Sequence, residues 1–285
     1  MRQDRRRIEE TFFKVLMICA ALVVGGSLLA VFLVVIWKGA PALSLSLITS
    51  LPESGYYLGK GGGIANAIVG SLYLAFGATA LALLLALPVA LFLQKEYISK
   101  SSFARLVRLS LDILWGVPSI VYGAFGFIIM LYLGMRACLL GGIIVLTILE
   151  LPIMIRAMDE IIRMVPKELK ESSYAMGATR LETTLKVVCK QVLPGILNAI
   201  LLAFGRGIGD AASILFTAGY TDRLPHSLLD PVASLPLAVF FQIGTPFVEV
   251  QQRAYAAALI LLILILLLSV LSRFFTRRFT RYIIR

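Results

Sequence analysis

"RAMDEIIRMVPKELKESSYAMGATRLETTLKVVCKQVLPG", residues 156–195, is the most charged internal stretch of the chain. Seven Lys or Arg fall between positions 156 and 190. Yet Ile161, Ile162, Met164, Val165, Leu169, Tyr174, Met176, Leu181 and Leu185 recur at helical intervals. Pro166 suits the first turn of a new helix. Glu168 and Glu171 fall in its first turns, where the helix dipole favours negative charge. Gly177 interrupts the pattern, as a glycine does where a short helix ends or a partner backbone comes close. A wet helix whose apolar residues face no obvious core fits a partner's groove or packs on the rest of its own chain. The residues alone leave both open.

The flanking sequence says what that rest is. The chain has 285 residues, 59% of them hydrophobic and 15% charged, against about 25% charged in soluble domains. A bilayer core of ~30 Å takes about 20 apolar helical residues to cross, and helices satisfy their own backbone where lipid cannot. Six such spans are predicted, at Phe13–Trp37, Ile64–Leu93, Leu109–Gly134, Gly141–Met158, Val192–Gly219 and Tyr255–Phe275. The first is too long for a cleaved signal peptide and has no convincing small-x-small site after it. The expected organisation is a basic arm over 1–12, a transmembrane domain over 13–275 and a basic tail over 276–285.

Lys and Arg set the orientation. With the N-terminus in the cytoplasm, residues 2–14, the 95–108 loop, the 156–190 segment and residues 273–285 hold 21 of the 27 basic residues. Only Lys38, Lys60, Arg136, Arg223 and Arg253 then lie outside, so both termini are predicted inside. The net charge of +11 needs no nucleic acid. "RQDRRR" reads as a juxtamembrane topology signal in preference to an RNA-binding arm.

Most catalytic classes are excluded. Cys19, Cys138 and Cys189 are scattered singly, without a CxxC pair. The single histidine, His226, leaves a zinc or haem site short of ligands. "GKGGG" (59–63) is not a phosphate loop: Gly55 to Gly59 is one residue short, and Gly61 stands where Ser or Thr is needed. Residues 38–63 read as an outer interfacial helix and a turn. In "LWGVPSIVYGAFG" (114–126), Pro118 can kink the third span, and Gly116, Gly123 and Gly126 permit close helix contacts or border a pathway.

"LLAFGRGIGDAASILFTAG" (201–219) carries two charges inside an apolar span. Four residues apart on a helix, Arg206 and Asp210 can pair. A charge at mid-membrane is costly and faces the bundle interior or a wet cavity. Gly205 and Gly209 form a small-xxx-small ridge, and Gly207 lies between them. A guanidinium offers a planar fork of donors matched to phosphate oxygens. Arg206 is thus a cationic station for an anion, with Gly205, Gly207 and Gly209 lining its lumen, or half of an ion pair that pins two helices. Asp112 is expected at the cytoplasmic boundary, and Glu150, before Leu151-Pro152, on an inward face.

"ELKESSYAMGATRLETTLKVVCKQVLPGIL" (168–197) resembles the cytoplasmic EAA loop of type I ABC importer permeases. Glu171 and Gly177 match at the family spacing, Ser172 and Ser173 replace the two alanines, and Leu193-Pro194 follow. "GGGIANAIVGSLYL", "GVPSIVYGAFG", "GDAASILFTAG" and "PFVEVQQRAYAAALIL" occur in the order found in the phosphate-specific (Pst) branch, and the last two favour its PstA-like subunits. The resemblance implies an all-α permease of six transmembrane helices in the bacterial inner membrane. A coupling helix, carried by Glu171, Ser172, Ser173, Ala175 and Gly177, would dock on an ATP-binding subunit. It implies a second, PstC-like permease, two PstB-like ATP-binding subunits and an external PstS-like phosphate-binding protein. The chain itself would be no enzyme and hold no cofactor; ATP and Mg would belong to the ATPases. Alternating access would move phosphate: ATP binding opens the lumen outward and hydrolysis resets it. Another oxyanion (sulfate or molybdate), or a phosphate-status signalling scaffold, is the alternative.

The topology has a direct check. In a background lacking the three native cysteines, Ala175→Cys is expected to resist an impermeant thiol reagent added outside intact cells and to react once the membrane is opened. Labelling from outside would invert the arrangement.

Overall fold

The computed structural model describes residues 2–53, 61–94 and 101–280. Among them the chain is helical, with one isolated β-bridge between Pro52 and Gly62. The helices are α1 (Arg2–Gly39), α2 (Leu45–Thr49), α3 (Ala65–Phe92), α4 (Ser102–Trp115), α5 (Ser119–Tyr132), α6 (Leu139–Arg163), α7 (Lys167–Ala175), α8 (Arg180–Glu182), α9 (Cys189–Gly209), α10 (Leu235–Ile243) and α11 (Val248–Thr280). Five of them, α1, α3, α6, α9 and α11, contain a stretch long and apolar enough to cross a membrane. The pair α4 and α5, bent by 101°, makes a sixth span if taken as one. Gly55, Gly59 and Lys60, weighed for a phosphate loop, lie outside the described residues.

The centre of the bundle is α6. Of its apolar window 67% is buried within the chain, whereas none of the window in α1 is. Helix α3 presents Ala78, Ala82, Ala86 and Ala90, four residues apart and fully buried. The last three of these meet Met154, Met158 and Ile162 of α6 and Ala199 and Ala203 of α9. Lipid tails are as apolar as these side chains, so association rests on close packing, which a ridge of small residues allows. Helix α1 packs mainly on α11 and leaves most of its Leu, Val and Phe on the outer surface.

Two predicted spans are reshaped. The third is broken at Gly116–Pro118, because proline has no N–H and disfavours a helical residue before it. The Tyr122 hydroxyl donates to the Leu114 carbonyl at 2.8 Å, satisfying an acceptor that the break exposes. The fifth span was expected to run to Gly219, but α9 stops at Gly209. Residues 210–234 then form an irregular segment in which Ser213, Ile214, Thr217, Ala218, Val232 and Ala233 are buried. Its backbone is paired. Cys138, Leu139 and Leu140 donate to the carbonyls of Thr217, Asp230 and Leu228 at 2.8–2.9 Å, capping the N-terminus of α6. Val232 donates to Ala218 O at 3.0 Å.

The end of the bundle that carries α7 is tied by charge. Asp159 on α6 is buried; its carboxylate takes Arg108 of α4 at 3.0 Å and Arg163 at 2.9 Å. It also accepts from Gln94, just beyond α3, at 2.9 Å. Asp112 pairs with Arg156 at 2.7 Å, so it belongs to this network and not to a lumen. Removing one partner of a buried ion pair strands the other charges, at a cost of about 3 kcal/mol or more. Asp159→Ala is therefore expected to lower stability by about 3 kcal/mol in mixed-micelle denaturation, and the neighbouring exposed Glu160→Ala by under about 0.5 kcal/mol. Equal effects would show that the network carries no stability.

Candidate functional site

The geometry of the site follows from the end of α9. Three glycines in its last five residues weaken the helix, and Asp210 leaves it with extended backbone (φ −81, ψ 127). Its carboxylate accepts from the Ser213 amide at 2.8 Å. Short acidic side chains compete in this way with helix continuation. The predicted Arg206–Asp210 pair is not formed: with the helix over before Asp210, the i, i+4 register is lost. Arg206 makes no hydrogen bond or ion pair with any described residue. It lines a groove of about 770 Å³ between α9 and α11, shared with Ile265 near the middle of α11.

The three glycines divide between two faces. A Cβ on Gly205 or Gly209 would meet nothing, so no helix among the described residues is seated on their ridge. Gly207 faces inward, where a Cβ would collide with Glu150 Oε1. Glu150 is wholly buried, as expected of an inward face. Thr79 on α3 donates to its Oε2 at 2.9 Å, while Oε1 has no partner. Thr79, Glu150 and Gly207 thus fasten α3, α6 and α9 at the level of the turn that bears Arg206. Glu150 was legible as an acidic residue in an apolar run. Thr79 was not, because a threonine in a span gives no sign of which residue it will face.

The second group of predicted residues is on α7 and its C-terminal turn. Glu171, Ser172, Ala175 and Gly177 are exposed and Ser173 is half-buried. Gly177 has φ +84, which side-chain-bearing residues rarely adopt. Its amide donates to Tyr174 O at 2.9 Å, and Ala178 donates to Ser173 O at 3.2 Å, closing the helix end. Ser172 turns back to the Glu168 carbonyl at 2.7 Å. The Ser173 and Thr183 hydroxyls lie 2.8 Å apart and clip α7 to the return limb. That limb starts in a Thr179–Glu182 capping box and passes through a π-turn, Thr183–Val188, into α9. Met164, Met176, Leu181 and Leu185 stand exposed around α7, an apolar surface that no described residue covers. Arg206 and α7 are therefore joined through the one continuous limb that contains α9.

Comparison with known proteins bears on both groups. Residues 86–281, which include α7 and Arg206, match the family described as "Binding-protein-dependent transport system inner membrane component". The chain is 34% identical over 239 residues to the phosphate transport system permease protein PstA of Yersinia pestis, covering 83% of this chain and 79% of that one. It is 33% identical over 229 residues to the probable ABC transporter permease protein YqgI of Bacillus subtilis, covering 78% and 75%. Its fold matches a chain of the inward-facing MetNI methionine ABC transporter with a TM-score of 0.64 over 76% of this chain, at 21% identity. The chain belongs to the family of inner membrane components of binding-protein-dependent transport systems, among its PstA-like permeases.

Proposed function

We propose that this chain is the permease subunit of an ATP-driven inorganic phosphate importer, working by alternating access in the bacterial inner membrane with both termini and α7 in the cytoplasm. The observation that carries the reading is the unpaired guanidinium of Arg206 on a groove beside the middle of α11. A positive charge at that depth costs at least about 2.5 kcal/mol, and no carboxylate among the described residues pairs with it. An oxyanion in transit does so transiently, with bidentate geometry. A station without a fixed counter-ion binds and releases, as conduction requires. Relatives at 31–35% identity that are named phosphate transport system permeases point to the same anion.

In this reading the exposed face of α7 docks on one of two PstB-like ATP-binding subunits, which hold the ATP and Mg. A PstC-like permease covers the open side of α9, and a PstS-like protein delivers phosphate from outside. Glu171, Ser172, Ser173, Ala175 and Gly177 transmit closure of the ATPases along α9 to Arg206, Gly205 and Gly209. Glu150 and Gly207 hold that turn to the bundle.

Two measurements test this. Labelled phosphate uptake in membrane vesicles is expected to fall at least about tenfold for Arg206→Gln, since a charge-assisted hydrogen bond contributes about 1.5–3 kcal/mol, with the complex still recovered on an ATPase pull-down. Arg206→Lys should restore only part, because an ammonium lacks the fork. Normal uptake by Arg206→Gln would make the arginine a structural pin. Asp210→Asn should be mild, since an amide oxygen can still accept from Ser213. For coupling, Gly177→Trp places a bulky side chain at a left-handed position that costs a substituted residue about 1–2 kcal/mol. It should leave the protein in the membrane and reduce ATPase recovery or coupling. Undiminished transport with normal complex recovery would remove α7 from the docking surface.

A further inference from the structure

The groove at Arg206 continues to a second arginine. Helices α9 and α11 run antiparallel: Gly209 borders a second pocket with Ala258 and Leu262, whereas residues from Asn198 to Arg206 share the groove with Ile265, Ser269 and Arg273. Eight residues separate Asn198 from Arg206, about 12 Å along α9, and the direction is toward the α7 end of the bundle. Ser269 and Arg273 are four residues apart on one face of α11. Among the described residues no acidic one lines this groove, and its polar side chains are Asn198, Arg206, Ser269 and Arg273. Arg273 forms no ion pair with any described residue. The Ser269 hydroxyl makes no hydrogen bond with one either, although a serine within a helix ordinarily turns back to its own carbonyls.

We propose that Arg273 and Ser269, with Asn198 across the groove, form a second oxyanion station, on the release side of Arg206, for a phosphate group leaving toward the α7 end. The proposal rests on Arg206 being the first station. Two guanidinium groups with no counter-ion among the described residues, at the ends of one groove with apolar walls between, attract an oxyanion and repel cations. Dividing the attraction between two places also keeps either from being a trap: an anion held by one arginine is drawn on by the other. Arg273 is exposed toward the end of α11, so the same chemistry would serve a free phosphate ion or a phospholipid headgroup. The proposal commits to the ion.

The test uses the whole complex, with its ATPases, second permease and binding protein, in proteoliposomes of zwitterionic or of mixed anionic lipid. Inorganic phosphate is titrated into the ATPase-exposed compartment while delivery of labelled phosphate from the other side is followed. Phosphate on the release side is expected to slow the wild-type complex by occupying the second station. Arg273→Gln should raise the concentration for half-inhibition about tenfold, the loss expected for one guanidinium–oxyanion contact. Arg273→Lys should recover part of the sensitivity. If Arg273→Gln does not assemble, Ser269→Leu, which fills the groove beside it, is expected to give the same shift. Unchanged sensitivity in the variants, or a wild type indifferent to phosphate on the release side, would overturn the proposal. A shift seen only with anionic lipid would also overturn it, in favour of a headgroup. Arg206→Gln is run in parallel. Normal uptake there would bring down the first station, whatever the Arg273 variants show.

Discussion

In a bilayer no backbone N–H or C=O can be left without a partner, and this structure meets that constraint in its least regular part. Helix α9 ends at Gly209, which borders a pocket with Ala258 and Leu262 of α11, about 15–20 Å along that helix by its rise per residue. The chain is thus still at membrane depth when it leaves the helix. Residues 210–234 are tolerated there because they are packed under α5 and α6 and because their carbonyls receive the first amides of α6. The same contacts fix where α9 must stop. The stopping point in turn releases Arg206 from the partner that a continued helix would give it.

Charge is used in two opposite ways at the two ends of this arrangement. Asp159 is surrounded: Arg108, Arg163 and Gln94 all reach it, and Arg156 joins it to Asp112. Every charge there has a partner of opposite sign, and the network locks α4 and α6 next to α7. Arg206 is left open on the groove side, with Glu150 behind its turn committed to Thr79 and pressed on Gly207. A compensated cluster supports a rigid body, and an uncompensated cation can hold something that comes and goes. Placing both on helices continuous with the α7 limb lets motion at one be felt at the other.

How much of this could be read from the sequence depends on the range of the interaction. The all-helical class, the spans of α1, α3, α6 and α11, the kink at Pro118 and the helix at Lys167–Ala175 follow from local properties: apolar length, proline's missing donor and helical spacing. The α7 prediction held because Pro166 and Gly177 mark both ends within the segment itself. The failures are tertiary. Apolar residues up to Gly219 made the fifth span look continuous, because hydropathy does not distinguish a helix in lipid from a loop buried in protein. The Arg206–Asp210 pair looked sound on a helix and vanished when Asp210 turned to Ser213. Thr79, Asn198 and Ser269 gave no signal, since their partners or neighbours lie on other helices, and Arg273 read only as one of the basic residues that set the topology.

The central claim is that the Arg206 guanidinium touches the transported phosphate. Solid-state NMR on the assembled complex, with arginine labelled in its guanidinium nitrogens, reads this contact as a ¹⁵N–³¹P dipolar coupling. The account predicts a coupling to Arg206 that arises when inorganic phosphate is added, at the ³¹P shift of the free ion and not of the lipid, and that is missing in the Arg206→Gln complex. A phosphate-loaded complex in which Arg206 shows no such coupling, or in which its nitrogens instead contact a carboxylate, would contradict it.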